Sequence, residues 1–276
     1  MNLSRRSILF FLGILFVLWV LFAYREAHRV ELRYQEISLA RLPGEFDGFR
    51  ILLLADLHLN NDSVLTERLR DRIRAAGQAD LVLIAGDFKD FFADERAAMG
   101  QLIKLVPELE AFPRLYVVNG NHDTPRMIRE VESLGIRVLR NEREILKRGE
   151  ATLGIAGVSY PLERAGIDRA VRRFRDDHGR TIPDCQILLA HTPDVILREE
   201  ARQADLVLAG HTHGGQIALP LIGAVTTLNR LGRRYAAGLF SFGSTQLFVT
   251  RGVGTTFVPL RFLAPPEIVL ITLRRK

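Results

Sequence analysis

Short apolar runs that stop abruptly at a polar residue limit what this chain can fold into. Eight of them, four to six residues long, occupy positions 51–55, 81–85, 115–118, 153–158, 187–190, 206–209, 247–250 and 268–272. Most are continuously apolar, as expected of strands covered on both faces. Amphipathic stretches lie between several of them. Ser63 is placed to cap a helix over 63–76, Thr124-Pro125 opens one that Gly135 ends, and Asp194 opens another through Gln203. Ahead of these, residues 30–39 (VELRYQEISL) alternate as an edge strand does, and Leu42-Pro43-Gly44 marks a turn. Strands alternating with helices predict an α/β layered sandwich. With 276 residues the chain can bury one large core.

The residues that end the runs carry chemistry. The first run stops at Asp56-Leu57-His58 and the second at Gly86-Asp87. The third enters Asn119-Gly120-Asn121-His122-Asp123, a later one ends at His191, and another at His211-Thr212-His213. Ligand sites of open α/β sheets lie beyond the carboxyl ends of the strands, and five of the seven histidines stand there. Core packing accounts for one or two such polar ends, not for five. In 208–216 (LAGHTHGGQ) the two histidines are spaced i, i+2, so an extended backbone points both imidazoles to one side. The glycines after them allow a sharp turn and close approach. Two imidazoles aimed at one point suggest a metal site.

A net charge of +6 suits a phosphate-bearing substrate or an anionic membrane surface. No block of five or six Lys/Arg occurs, so specific nucleic-acid binding is not expected. One cysteine, Cys185, excludes an intramolecular disulfide framework and any CxxC motif; beside an apolar run it reads as a small buried hydrophobe. Ser159 lies in G-V-S-Y-P, which is not a nucleophile elbow, and no P-loop, GxGxxG or HExxH is present.

Residues 8–24 (ILFFLGILFVLWVLFAY) contain no charge and one glycine. At about 1.5 Å per residue they reach roughly 25 Å, adequate for a bilayer core of about 30 Å. Trp19 and Tyr24 fit an interfacial aromatic belt. Ala23-Tyr24-Arg25 does not form a small-x-small cleavage site, which favours an uncleaved anchor. Arg5 and Arg6 flank one side and Arg25, Arg29 and Arg33 the other, so flanking charge does not decide orientation. Residues 4–9 (SRRSIL) partly resemble a twin-arginine export signal, which would place the globular part outside the cytoplasm.

Asp56, His58, Asp87, Asn121, His191, His211 and His213 supply seven N/O donors, too many for one tetrahedral zinc. A shared carboxylate would let two ions each keep about four protein groups and open positions for water and substrate. With no soft ligand, Mn, Fe, Zn or another first-row ion would serve.

The ordered set D-x-H, G-D, G-N-H-D, H and G-H-T-H resembles the calcineurin-like metallophosphoesterases, from about Phe49 to the end. The resemblance implies a four-layer α/β/β/α fold. It implies one metal at Asp56, His58, Asp87 and His213 and a second at Asp87, Asn121, His191 and His211, with Asp87 bridging. His122 matches the family's catalytic histidine, expected to stabilise the transition-state oxygen or protonate the leaving group, with Asp123 orienting it. GHTHGGQ, the opening Asp47-Gly48-Phe49-Arg50-Ile51 and the ending Arg251-Gly-Val-Gly254 … Pro265-Pro266-Glu267 resemble one bacterial subgroup, whose members often carry an amino-terminal membrane or export segment.

The expected division is an anchor over 1–24, a juxtamembrane segment and edge strand over 25–48, and a catalytic domain over 49–276. The expected protein is a single-pass, dinuclear metallohydrolase of a bacterial cell membrane, cleaving phosphodiester, phosphomonoester or pyrophosphate bonds, lipid-linked substrates included. A UDP-2,3-diacylglucosamine pyrophosphatase of lipid A synthesis would need the cytoplasmic face; a broad-specificity phosphodiesterase would work outside it. A non-catalytic scaffold on the same fold is the rival from another class, and the intact ligand set argues against it. Lys89 near the site reads as a phosphate contact or a solvated charge. The basic stretch 164–180 reads as a solvated helix face before a phosphate- or lipid-binding one, and His28 and His178 as surface residues.

Overall fold

The computed structural model describes residues 5–171 and 182–276. The latter part of the basic stretch, with His178, lies outside the described residues, as does Ser4. The first half of the chain supplies α1 (Arg5–Ala27), β1 (Glu31–Leu39), β2 (Arg50–Leu54), α2 (Ser63–Ala75), β3 (Leu81–Ile84), α3 (Glu95–Glu110), β4 (Leu115–Val117), α4 (Pro125–Ser133) and β5 (Arg137–Val138). The second half supplies β6 (Glu142–Arg148), β7 (Ala151–Gly157), α5 (Arg164–Val171), β8 (Cys185–Leu189), β9 (Leu206–Ala209), β10 (Ala218–Leu219), β11 (Gly223–Ala224), β12 (Gly238–Phe242), β13 (Thr245–Val249) and β14 (Glu267–Arg275).

Two six-stranded sheets result, ordered β1-β14-β2-β3-β4-β5 and β12-β13-β9-β8-β7-β6, with β10-β11 as a separate hairpin. Strands β2 to β5 are mutually parallel, as are β7, β8, β9 and β13. Alternation along each strand divides the core. Ile51, Leu53, Leu81 and Leu83 face Ile187, Leu189, Leu206 and Leu208 between the sheets. Leu52, Leu54, Val82 and Ile84 face outward to Leu69, Leu102 and Val131 of α2, α3 and α4. Leu188 and Val207 pack on Ile167 and Ala170 of α5 and on Val195 and Ile196. The layers therefore run α/β/β/α, the fold that the resemblance implies. Cys185 is fully buried, as its apolar neighbourhood requires.

Three local expectations change. Asp62, not Ser63, caps α2: its carboxylate accepts from the amides of Val64 and Leu65 and suits the positive end of the helix. Instead of one helix over 194–203 there are two 3-10 turns, Pro193–Leu197 and Glu200–Gln203, because Arg198 between them is extended. His28 is not a free surface residue; its ring bridges the Tyr24 carbonyl and the Asp62 carboxylate at 2.8 Å each. Helix α1 is long and apolar enough to cross a membrane, with a mean hydropathy of 2.6. Its last turn buries Ala23, Glu26 and Ala27 against the rest of the fold. Strand β1 is an edge strand, paired in parallel with β14 from Glu31 to Leu39.

Candidate metal centre

Because β2, β3 and β4 run parallel in one sheet and β8 and β9 in the other, their carboxyl ends meet. Asp56 and His58 follow β2, Asp87 follows β3, Asn121 and His122 follow β4, His191 follows β8, and His211 and His213 follow β9. Asp56, His58, Asp87, His191 and His213 are buried. Asp56, His58, Asp87, His211 and His213 all adopt left-handed backbone, with φ between 42° and 71°. For a residue with a Cβ that conformation costs about 1–2 kcal/mol, and such strain concentrates at functional sites. It folds the polar side chain over the end of its sheet.

Three groups of potential ligand atoms form, each within 4.8 Å: Asp56 with His58 and His213, His58 with Asp87 and His122, and Asp87 with His191 and His211. Asp87 Oδ2 lies 3.3 Å from His191 Nε2, 3.6 Å from His58 Nε2 and 3.7 Å from His122 Nε2. His191 Nε2 is 2.8 Å from Asn121 Oδ1 and 3.0 Å from His211 Nδ1, and His58 Nε2 is 3.2 Å from His213 Nε2. All seven predicted donors are thus brought together, with Asp87 between the two halves.

Their outer hydrogen bonds fix which atoms face inward. His191 Nδ1 is 2.8 Å from the Ala85 carbonyl and His211 Nε2 is 3.1 Å from the Leu228 carbonyl. A carbonyl only accepts, so each of those nitrogens carries the proton and the opposite nitrogen turns a lone pair to the centre. His213 differs. Arg261 Nη2 lies 3.3 Å from its Nδ1, so coordination through Nε2 requires the other tautomer. Among the described residues no group takes the buried Nδ1 of His58 or His122. Among Asp87 Oδ2, Asn121 Oδ1, His191 Nε2 and His211 Nδ1 there are acceptors on every side. A cation, or a proton on His191, is what such a cluster lacks.

The ionisation of the groups reflects that lack. Burial pushes the Asp56 carboxyl up to about 7, with His191 opposing and Asp87 reinforcing. Burial disfavours the His191 imidazolium, but the Asp87 carboxylate overrides it and raises His191 to about 9. Burial would also raise Asp87, yet the charge of His191 holds it well below the usual carboxylate range. Burial lowers His58 to about 3 and His211 to about 4, and keeps His213 well below an ordinary imidazole. Buried carboxylates beside largely neutral imidazoles are the donor set of a divalent cation.

A family model described as calcineurin-like phosphoesterase matches residues 49–215, which contain every one of these residues. The chain belongs to that family. It is 35% identical over 262 residues to an uncharacterized metallophosphoesterase of Bacillus subtilis strain 168, YkuE, across 91% of this chain and 88% of that one. It is 30% identical over 251 residues to the phosphodiesterase YaeI of Escherichia coli K12, across 82% of each chain. A transmembrane protein with a metallophosphoesterase domain from Danio rerio is 30% identical, across 87% of this chain and 56% of that one. This calcineurin-like phosphoesterase is a metal-dependent phosphoester hydrolase, and its His/Asp clusters suit divalent ions.

Two residues do other work than the sequence suggests. The Asp123 carboxylate does not orient the His122 ring. It accepts from the backbone amides of Asp87 (2.9 Å), Phe88 (2.8 Å) and Gly120 (2.8 Å), so it splices the β3 and β4 tips. Lys89 is half-buried, and its Nζ is engaged locally, donating to the carbonyls of Asp90, Phe91 and Ala93. Others escaped the sequence reading. Arg261 is fully buried and donates to the carbonyls of His213, Gly252 and Ala264. Gly252 backs Asp56 so closely that a Cβ there would lie 2.5 Å from its Oδ2. The Gln216 amide holds the 255–258 loop through Thr256 and Val258. Only the side-chain type of Arg261, a charge inside an apolar run, hinted at any of this.

Proposed function

We propose that the chain is a membrane-anchored phosphodiesterase acting with two divalent ions, Mn, Fe or Zn, on either side of Asp87. The observation that carries this reading is the position of Asp87 Oδ2, within 3.7 Å of imidazoles from otherwise separate ligand groups. Asp56, His58, Asp87 and His213 would hold one ion, and Asp87, Asn121, His191 and His211 the other. Bound there, the pair supplies an acidified water as nucleophile and draws charge from the phosphoryl oxygens during in-line displacement.

The remaining roles fall to the chain. His122 is only half buried, and its amide donates to Asp87 Oδ1 at 2.9 Å, tying it to the shared carboxylate. Burial holds its pKa below an ordinary imidazole, with Asp87 opposing. A neutral ring there donates a hydrogen bond to a phosphoryl or leaving oxygen. The relative YaeI, named a phosphodiesterase, favours diesters over the monoesters and pyrophosphates that the same chemistry covers. Residues 1–24 serve as the anchor of a single-pass protein, with 49–276 as the catalytic domain. The partial likeness of residues 4–9 to a twin-arginine export signal favours an extracytoplasmic domain.

Full-length protein in detergent should hold about two ions per chain and hydrolyse bis(p-nitrophenyl) phosphate when supplied with Mn. Asp87→Ala should lower both metal content and turnover, the latter by on the order of 1,000-fold. Binding of a single ion, or full turnover by the variant, would overturn the dinuclear reading.

A further inference from the structure

Left-handed backbone occurs at ten non-glycine residues among those described. Five are at the metal centre, and three more are Leu221, Phe257 and Leu263. These three are large, apolar and exposed, Leu221 fully and Phe257 to 62%. Glycine is the ordinary occupant of such positions, so the fold holds these apolar side chains outward at a backbone cost. They belong to two neighbouring segments. One is the β10-β11 hairpin, whose tip also exposes Ile222; from Gly214 to Asn229 no residue is charged. The other is the loop carrying Phe257, Val258, Phe262 and Leu263. Gln216, which follows the ligand His213 by three positions, ties the two together: Phe262 N donates to its carbonyl at 3.0 Å and its side chain holds Thr256 and Val258.

Helix α1 sets the depth of this surface. The Phe262 ring lies 5.8 Å from those of both Trp19 and Phe22. From Arg6 to Trp19 the helix rises roughly 20 Å, less than the hydrocarbon thickness of about 30 Å. With Arg6 at one interface, Phe262 then sits at bilayer depth, and helix tilt only deepens it. Backbone at that depth must be paired within the protein, and several groups of these two segments are. Ala218 N donates to Phe262 O, Val225 N to Ile217 O, Val258 N to Thr256 O and Leu260 N to Val258 O, at 2.8–2.9 Å. The first charges after the hairpin, Arg230, Arg233 and Arg234, are exposed and basic, suited to anionic headgroups. A track of rings leads on to the centre: Phe257 is 6.0 Å from Phe91, and Phe91 is 5.5 Å from His122.

We infer that residues 217–228 and 257–263 form an apolar lip that enters the leaflet beside α1, so that the centre takes a bilayer-resident amphiphile bearing a phosphodiester. The lip rests on the anchored-phosphodiesterase reading given above and adds the source and class of substrate. The amphiphile's phosphate would sit at the centre while its apolar chain follows Phe91 and Phe257 back to the membrane.

The test uses the full chain in phosphatidylcholine/phosphatidylglycerol nanodiscs, with one bimane label at Ile222→Cys, Gly13→Cys or Glu150→Cys. Cys185 is buried and leaves the introduced thiol as the target. Gly13 has open space around it and reports the anchor. Glu150 is exposed in the β6-β7 turn, at the opposite end of the strands from the centre. Doxyl-labelled lipid should quench Gly13 and Ile222 labels by roughly twofold or more and leave the Glu150 label unchanged. Quenching at Gly13 without quenching at Ile222 overturns the lip while sparing the anchor. Shielding of Ile222 from both lipid quencher and iodide would mean that a second copy covers it, which also overturns the lip. Quenching at neither site removes the anchor and the lip together. Hydrolysis of bis(p-nitrophenyl) phosphate reports on the metal centre separately. For the substrate, Ile222→Asp should lower the ratio of turnover of a long-chain dialkyl phosphodiester in the disc to that of the soluble diester by about tenfold. An unchanged ratio overturns the substrate class.

Discussion

His191 shows at a single side chain how the centre is balanced. Its Nδ1 is committed to Ala85, its Nε2 meets Asn121, Asp87 and His211, and Asp87 raises it to about 9 while Asp56 rises to about 7. At pH 7 His191 is largely protonated and Asp56 about half so, and an entering cation displaces those protons. The sign follows: raising the pH removes the competing protons, so apparent metal affinity climbs from pH 6 and levels off only above about 9. Calorimetric titration of the apo-protein with Mn, in buffers of different ionisation enthalpy, should show at least about one proton released per chain at pH 7. An affinity independent of pH over that window would contradict the assignment. Each histidine of the centre was legible because it ends an apolar run. Arg261 was legible only as a charge inside an apolar run, since the carbonyls that satisfy its guanidinium leave no pattern in the letters. Asp123 misled for a related reason: its place beside His122 suggests a ring partner, whereas its carboxylate turns back to three backbone amides.

Among the elements, legibility followed burial. The eight apolar runs became strands because sheets covered on both faces leave no position for a polar side chain. β6 (EREILKR) and β12 went unread because each is an edge strand with mixed polarity, where charge guards against further pairing. The tight fit of the tips was equally invisible. Gly120 lies so close to the β3 tip that a Cβ there would stand 2.6 Å from Asp87 N and closer still to its carboxylate. Gly120→Ala must therefore push the β4 tip, with Asn121 and His122, away from Asp87. A displacement of about 1 Å at a catalytic group lowers turnover by roughly 100-fold, so kcat on bis(p-nitrophenyl) phosphate should fall by that order. Gly100→Ala in α3, where an added Cβ meets nothing within 4 Å, is the control and should change kcat less than about twofold. Equal rates in the two variants would show that tip spacing does not govern the chemistry.

Over the whole molecule, hydropathy separates an apolar amino terminus from the sandwich, yet the two are joined in a way the sequence does not announce. The Ala23 carbonyl accepts from Arg261 N at 3.0 Å, the buried Glu26 carboxylate accepts from Ala264 N at 3.1 Å, and Phe262 packs on Trp19 and Phe22. Arg261 in turn donates to the His213 carbonyl, so the end of the helix is linked to the ligand loop through one residue. A chain beginning at His28 loses two hydrogen bonds worth about 1 kcal/mol each and two ring contacts of about 0.5–1.5 kcal/mol each. The total is on the order of 3–5 kcal/mol, and for a domain of this size each kcal/mol moves the midpoint by about 2–4 °C. Thermal unfolding followed by circular dichroism in one detergent should therefore place the shortened chain roughly 10 °C below the full one. Fluorescence will not serve, because the only tryptophan is Trp19. The shortened chain should also bind Mn more weakly, since the Arg261 loop that supports His213 has lost its outer hold. Equal midpoints and equal affinities would show the helix to be a tether alone; a shift in both makes it part of the catalytic body.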